Sequence, residues 1–112
     1  MEPSRFDEVA FFSALHRSGA RALLIGRRAL VLLGLPVLTA DYDFWLSIED
    51  IDSFNAVGGE FDLHPSRSPD EAQRHGRYTL ENDEHVDVLV ARSIATVGGA
   101  TIEFDTLWSR RQ

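Results

Sequence analysis

The 112-residue chain contains no cysteine and no lysine. Without cysteine there are no disulfides, no thiolate metal sites and no thiol nucleophile. Without lysine, the phosphate-binding lysine of a P-loop, Schiff-base chemistry and the lysine of phosphoacceptor receiver domains are excluded as well. Long apolar runs are missing too. The longest, Ala29 to Leu35, falls far short of the roughly 20 residues that a membrane-spanning helix needs. The start, Met1-Glu2-Pro3, leads into an acidic amphipathic stretch with no signal-peptide pattern, so the expectation is a cytoplasmic protein with no membrane partner. Positive charge is scarce: all 11 basic residues are Arg, against 18 Asp plus Glu, a net charge of −7. Phosphate contacts along a nucleic acid need clustered basic residues, so a general nucleic-acid binder is not indicated. Acidity of this kind does suit a site for a divalent cation.

What is present fits one globular domain over residues 1–112, with an apolar fraction of 44% that is enough for a real core. Ser4 with Asp7 resembles a capping box, and Phe6, Val9, Phe12 and Leu15 repeat at helical spacing until Gly19. Ala22 to Ile25 reads as a buried strand that stops at Gly26. A buried helix carrying Ala29, Leu30, Leu32 and Leu33 follows, closed by Gly34 and Pro36. Tyr42 to Ile48 is aromatic and strand-like. Glu49 to Val57 reads as a helix ended by Gly58-Gly59. Phe61 and Leu63 suggest a strand, and Pro65 to Pro69 a loop. Gly76 to Leu80 reads as an edge strand, His85 to Ala91 as a clear strand and Thr101 to Phe104 as a short one, with a last helical turn at Leu107 and Trp108. Helices mixed with strands in this order give an α+β fold, a mixed sheet backed by helices.

Period-two alternation puts Asp41, Asp43 and Trp45 on one face of their strand and Tyr42, Phe44 and Leu46 on the other. Two aspartates at i and i+2 stand about 7 Å apart at the backbone, close enough to converge on one hard cation. Asp87 lies between Val86 and Val88, where a charge costs desolvation unless a cation or donors compensate it. If the two strands are neighbours, the three carboxylates meet.

These residues resemble a known pattern: strand, glycine turn, helix, D-x-D on the next strand, and a third carboxylate later. Here Ala22 to Gly26, Ala29-Leu30, Gly34-Leu35-Pro36, Thr39 to Phe44 and Val86-Asp87-Val88 match it in turn. The chain thus resembles, over roughly residues 20 to 108, the minimal nucleotidyltransferases of the DNA polymerase β-like superfamily, including those of abortive-infection systems. The resemblance implies a nucleotidyltransferase-like fold and metal-dependent transfer of a nucleoside monophosphate from a nucleoside triphosphate to a hydroxyl. It further implies that Asp41, Asp43 and Asp87 are catalytic metal ligands for Mg²⁺ or Mn²⁺, and that Gly26 and Arg27 seat the triphosphate. The acceptor would be a protein, an RNA end or a small molecule. Two features depart from the pattern. Arg27 stands where a second small residue is usual, and either blocks phosphate approach or supplies a guanidinium clamp. Val37 stands where a basic residue is common. A second reading is therefore a catalytically degenerate partner in a toxin–antitoxin or regulatory pair. A third is a metal- or protein-binding domain unrelated to nucleotides.

Other polar residues read as ordinary surface groups. His85 shares the face of Asp87 and is a candidate lining residue, whereas His64 and His75 are not. Arg67, Arg74 and Arg77 flank a loop and read as solvated, with phosphate contact as the alternative. Glu49, Asp50 and Asp52 read as helix N-terminal charges, and Trp45 as a packing residue, with stacking of a base as the alternative. Ser13, Ser18 and Ser93 have no base around them, so a serine triad lacks support.

Overall fold

The structure, a computed structural model, describes residues 6–32, 34, 42–82 and 84–111. Among these, five helices accompany a five-stranded mixed sheet and a two-stranded hairpin, an α+β fold. None of the helices is long and apolar enough to cross a membrane.

The first helix, α1 (Glu8–Ser18), is capped by Asp7, whose side chain accepts the Ala10 N–H at 3.0 Å, and ends at Gly19 in the left-handed region, φ 77°. Ser4, the expected cap, lies outside the described residues. The buried face is also rotated from the expected stripe. Phe11, Ala14 and Leu15 are buried, whereas Val9 is 74% exposed. Strand β1 (Ala22–Leu24) is an edge strand with Leu24 facing solvent, not a buried one. Helix α2 (Arg27–Leu32) follows, and Gly34 turns the chain with φ 73°. Leu33 and residues 35–41, Pro36 and Asp41 among them, lie outside the described residues.

Strand β2 (Tyr42–Leu46) leads to α3 (Ile51–Glu60), which runs through Gly58 and Gly59 instead of stopping there. Gly58 is buried against the sheet, and a Cβ on it would sit 2.8 Å from Leu80 Cδ1. Close approach, not chain breaking, is its role. Phe61 and Asp62 then form the turn out of the helix, and the strand expected there is the short β3 (His64–Pro65). Helix α4 (Pro69–His75) occupies a segment that carried no helix in the sequence reading. Its start has a capping box between Ser68 and Glu71 with Pro69 at the first position, and it ends at Gly76, φ 74°. Strands β4 (Arg77–Glu81) and β5 (His85–Val90) follow. The hairpin β6 (Ser93–Ala95) and β7 (Thr101–Glu103) and the terminal α5 (Phe104–Arg110) complete the chain.

The sheet order is β1-β2-β5-β4-β3, with β2 and β5 parallel and the other pairs antiparallel. Its two faces are covered differently. On one, Phe44, Leu46, Val86, Val88 and Leu80 pack under α1, α3 and α4 around Phe11 and Phe54. On the other, Trp45 is buried with Ile94 and Phe104, beneath the hairpin and α5. Trp45 meets the Phe104 ring edge-on at 5.4 Å and donates its Nε1–H to the Ala91 carbonyl at 2.8 Å. It is a packing residue, 1% exposed in the smaller core cluster.

Candidate functional site

The parallel register of β2 and β5 sets Asp43 directly opposite Asp87. Register partners on a pleated sheet project to the same side. Since Phe44, Val86 and Val88 enter the helix-covered core, both carboxylates face the other way, next to the Trp45 cluster. Adjacency of these strands was the condition for the two acids to meet. Asp41, the third acid, lies outside the described residues. Among the described residues no three acidic, His or Cys side chains form a metal-binding group.

Asp43 and Asp87 line a cavity of about 30 Å³ whose other walls include Ile25, Leu30, Leu89 and Arg77. That is room for a water-sized or ion-sized occupant. Asp87 is 5% exposed. Its Oδ2 accepts from Arg77 Nη2 at 2.8 Å, while its buried Oδ1 has no hydrogen-bond partner among the described residues. An unpaired carboxylate oxygen out of water is costly, so a donor or cation reaching Oδ1 removes a penalty that folding has left standing.

The glycine turn lies beside this pair. The Ile25 N–H donates to the Asp43 carbonyl at 2.7 Å, and the Leu30 N–H to the Gly26 carbonyl at 3.1 Å, so Gly26 caps α2 alongside β2. Among the described residues nothing lies within 4 Å of where a Cβ on Gly26 would sit. Arg27 is the first residue of α2. These contacts bring the turn and two of the three acids to one corner of the sheet.

Arg77 is the residue that sequence reasoning undervalued. It stands inside the Gly76–Leu80 strand expected from sequence as well as beside the loop of Arg67 and Arg74, and it opens β4, where Tyr78 and Leu80 point into the core. Alternation therefore sends Arg77 and Thr79 to the Asp87 side, a signal that was readable beforehand. Arg67 instead donates to the Arg77 carbonyl at 2.5 Å, and Arg74 is an exposed residue in the last turn of α4. His85 is half-exposed, with Nδ1 3.7 Å from Glu81 Oε1, and does not line the cavity. His64 and His75 are exposed. Asp50 makes no side-chain cap at α3; it and Glu49 bind Arg21, at 2.8 Å each, and tie the start of β1 to the α3 entrance. Those hydrogen bonds raise the Arg21 pKa above its ordinary value, the one to Glu49 first.

Comparison with protein-family models, with curated proteins and with solved structures finds no match to this chain.

Proposed function

We propose that the Asp43–Asp87 cleft binds a divalent cation, Mg²⁺ or Mn²⁺, in a nucleotidyltransferase-like protein that acts on a nucleoside triphosphate. The observation that supports this reading is the in-register pair of aspartates with Asp87 Oδ1 buried at a cavity and lacking a donor among the described residues. The donor set suits the group: carboxylate oxygens are what hard cations take, and the cavity has ionic dimensions. A bound cation would neutralise phosphate charge and polarise the phosphorus under attack. Asp43 and Asp87, with Asp41 as the resemblance implies, would hold that cation, and the Gly26-Arg27 turn would receive the phosphates. The acceptor hydroxyl oxygen bonds to the α-phosphorus, the α–β bridging bond breaks and pyrophosphate leaves. Asp87 draws the hydroxyl proton. Catalysis here is mainly positioning and charge neutralisation. The acceptor class this reading allows is a hydroxyl on a protein partner, an RNA end or a small molecule.

A specific observation favours the second reading, a degenerate partner in a toxin–antitoxin or regulatory pair: a guanidinium, Arg77, already sits on Asp87. Calorimetric titration with ATP and GTP in Mg²⁺ tests both. The parent is expected to bind triphosphate only with metal present, and Asp43→Asn with Asp87→Asn to abolish it. A parent that binds none beside an Arg27→Ser variant that does selects the degenerate reading. Binding by neither chain overturns both.

A further inference from the structure

Asp87 has a cation beside it whose root is held by the main chain and whose head is held by Asp87 and partly exposed. The main chain of Arg77 is pinned on three sides. Gly76 before it donates to the Ala72 carbonyl and accepts from the Val90 N–H, each at 2.8 Å. Arg77 is in antiparallel register with Leu89. Its own carbonyl accepts from Arg67. The guanidinium, by contrast, is held at Asp87 Oδ2 at 2.8 Å while 39% of the side chain stays exposed. The reach is diagonal: the register partner of Asp87 on β4 is Thr79, two residues further along the same face. A long stem on a fixed root, with its head at the mouth of a cavity, can swing without moving the sheet.

We propose that Arg77 is a switch cation. It neutralises Asp87 when no metal is bound, yields Asp87 to an entering divalent cation, and turns its freed guanidinium to a phosphate oxygen of a polyphosphate ligand. This rests on the cation-binding reading of the Asp43–Asp87 cleft. The competition follows from charge: a guanidinium and a divalent cation both want the Asp87 lone pairs, and at a few ångströms they repel strongly in a partly desolvated site. The second half follows from shape, since the planar fork of Arg matches phosphate oxygens. A purely structural ion pair would be expected to satisfy the buried carboxylate fully, whereas here Oδ1 is left without a partner among the described residues. Metal and polyphosphate then bind with positive coupling, which is reciprocal.

The test titrates the full chain and Arg77→Gln, first with Mn²⁺ alone and then with inorganic triphosphate at saturating Mn²⁺. Arg77→Gln should bind Mn²⁺ about tenfold more tightly and triphosphate about tenfold more weakly, a coupling of ordinary size. Opposite shifts are the signature, because loss of a merely structural contact weakens both. A readout on the parent covers the case in which Arg77→Gln does not fold: adding Mg²⁺ should move the Arg77 side-chain ¹⁵N resonance as the guanidinium leaves Asp87. An Mn²⁺ affinity that does not rise in the variant, an unchanged triphosphate affinity, or an unmoved resonance at Mg²⁺ saturation overturns the switch alone. If neither chain binds Mn²⁺, the cation-binding reading itself fails.

Discussion

Gly58 and Gly59 are neighbours in one helix, and a methyl group on each meets a different environment. On Gly58 it would lie 2.8 Å from Leu80 Cδ1 and 3.7 Å from Leu63 Cβ, both on fully buried residues with little room to give. On Gly59 it would meet nothing within 4 Å among the described residues. Ala is favoured over Gly in a helix by about 1 kcal/mol, while overpacking a tight core costs about 1–3 kcal/mol. Gly59→Ala should therefore stabilise the protein by up to about 1 kcal/mol, and Gly58→Ala should destabilise it by about 1 kcal/mol. Urea midpoints of the two variants check this, and equal signs would contradict the packing assigned to Gly58. The same pair shows what a single residue reveals in advance. Gly58-Gly59 looks like a helix end, and only the neighbouring strand makes it a point of contact.

At the scale of the element, α4 shows a local signal that was present and not used. Ser68-Pro69-Asp70-Glu71 contains an N-cap, a proline at the first helical position and a reciprocating glutamate, which together specify a helix start. The segment resembles a loop because a helix of 7 residues buries little besides Ala72. So short a helix depends on its cap. Ser68→Ala should cost about 1 kcal/mol and should speed amide exchange in α4 well before the β2–β5–β4 sheet responds. Glu71 adds a pH dependence. Hydrogen bonds from Ser68, the backbone one first, lower its pKa below the ordinary carboxylate value. A depressed folded pKa means stability that is fully present above the unfolded value and is lost as pH falls through the folded one. The stability gap between the parent and Glu71→Gln should therefore be widest near neutrality and narrow in acid, as denaturant melts across that range would record.

At the scale of the molecule, one sheet divides two unequal cores. The larger is built on Phe11, Phe44 and Phe54. The smaller holds both tryptophans: Trp45 is edge-on to Phe104, and Trp108 stacks on Phe104 at 6.1 Å. Ile25 and Leu89 belong to this smaller cluster and also wall the Asp43–Asp87 cavity, so the second core is the support of the candidate site. Phe104→Ala should cost about 3–5 kcal/mol, a large part of the stability of a domain this size. Because both tryptophans touch the lost ring, their emission should shift to the red in the folded variant. An unshifted spectrum would mean that the cluster does not depend on Phe104.

Two features are written in the local sequence: which way β2 and β5 face, and where the glycine turn falls. Both are local: side-chain direction alternates with a period of two, and Gly26 stands immediately before its helix. That is why the opposite faces of Asp43 and Phe44, the contrary faces of Asp87 and its flanking valines, and the α+β class were legible in one dimension. It takes the folded sheet to make β2 and β5 parallel neighbours in the register that sets Asp43 against Asp87, and to bring Arg77 diagonally onto Asp87. The fold also places β1 at the sheet edge and leaves Val9 in solvent. Partner and register are settled by which apolar faces can be buried together, a property of distant segments jointly that no local period records.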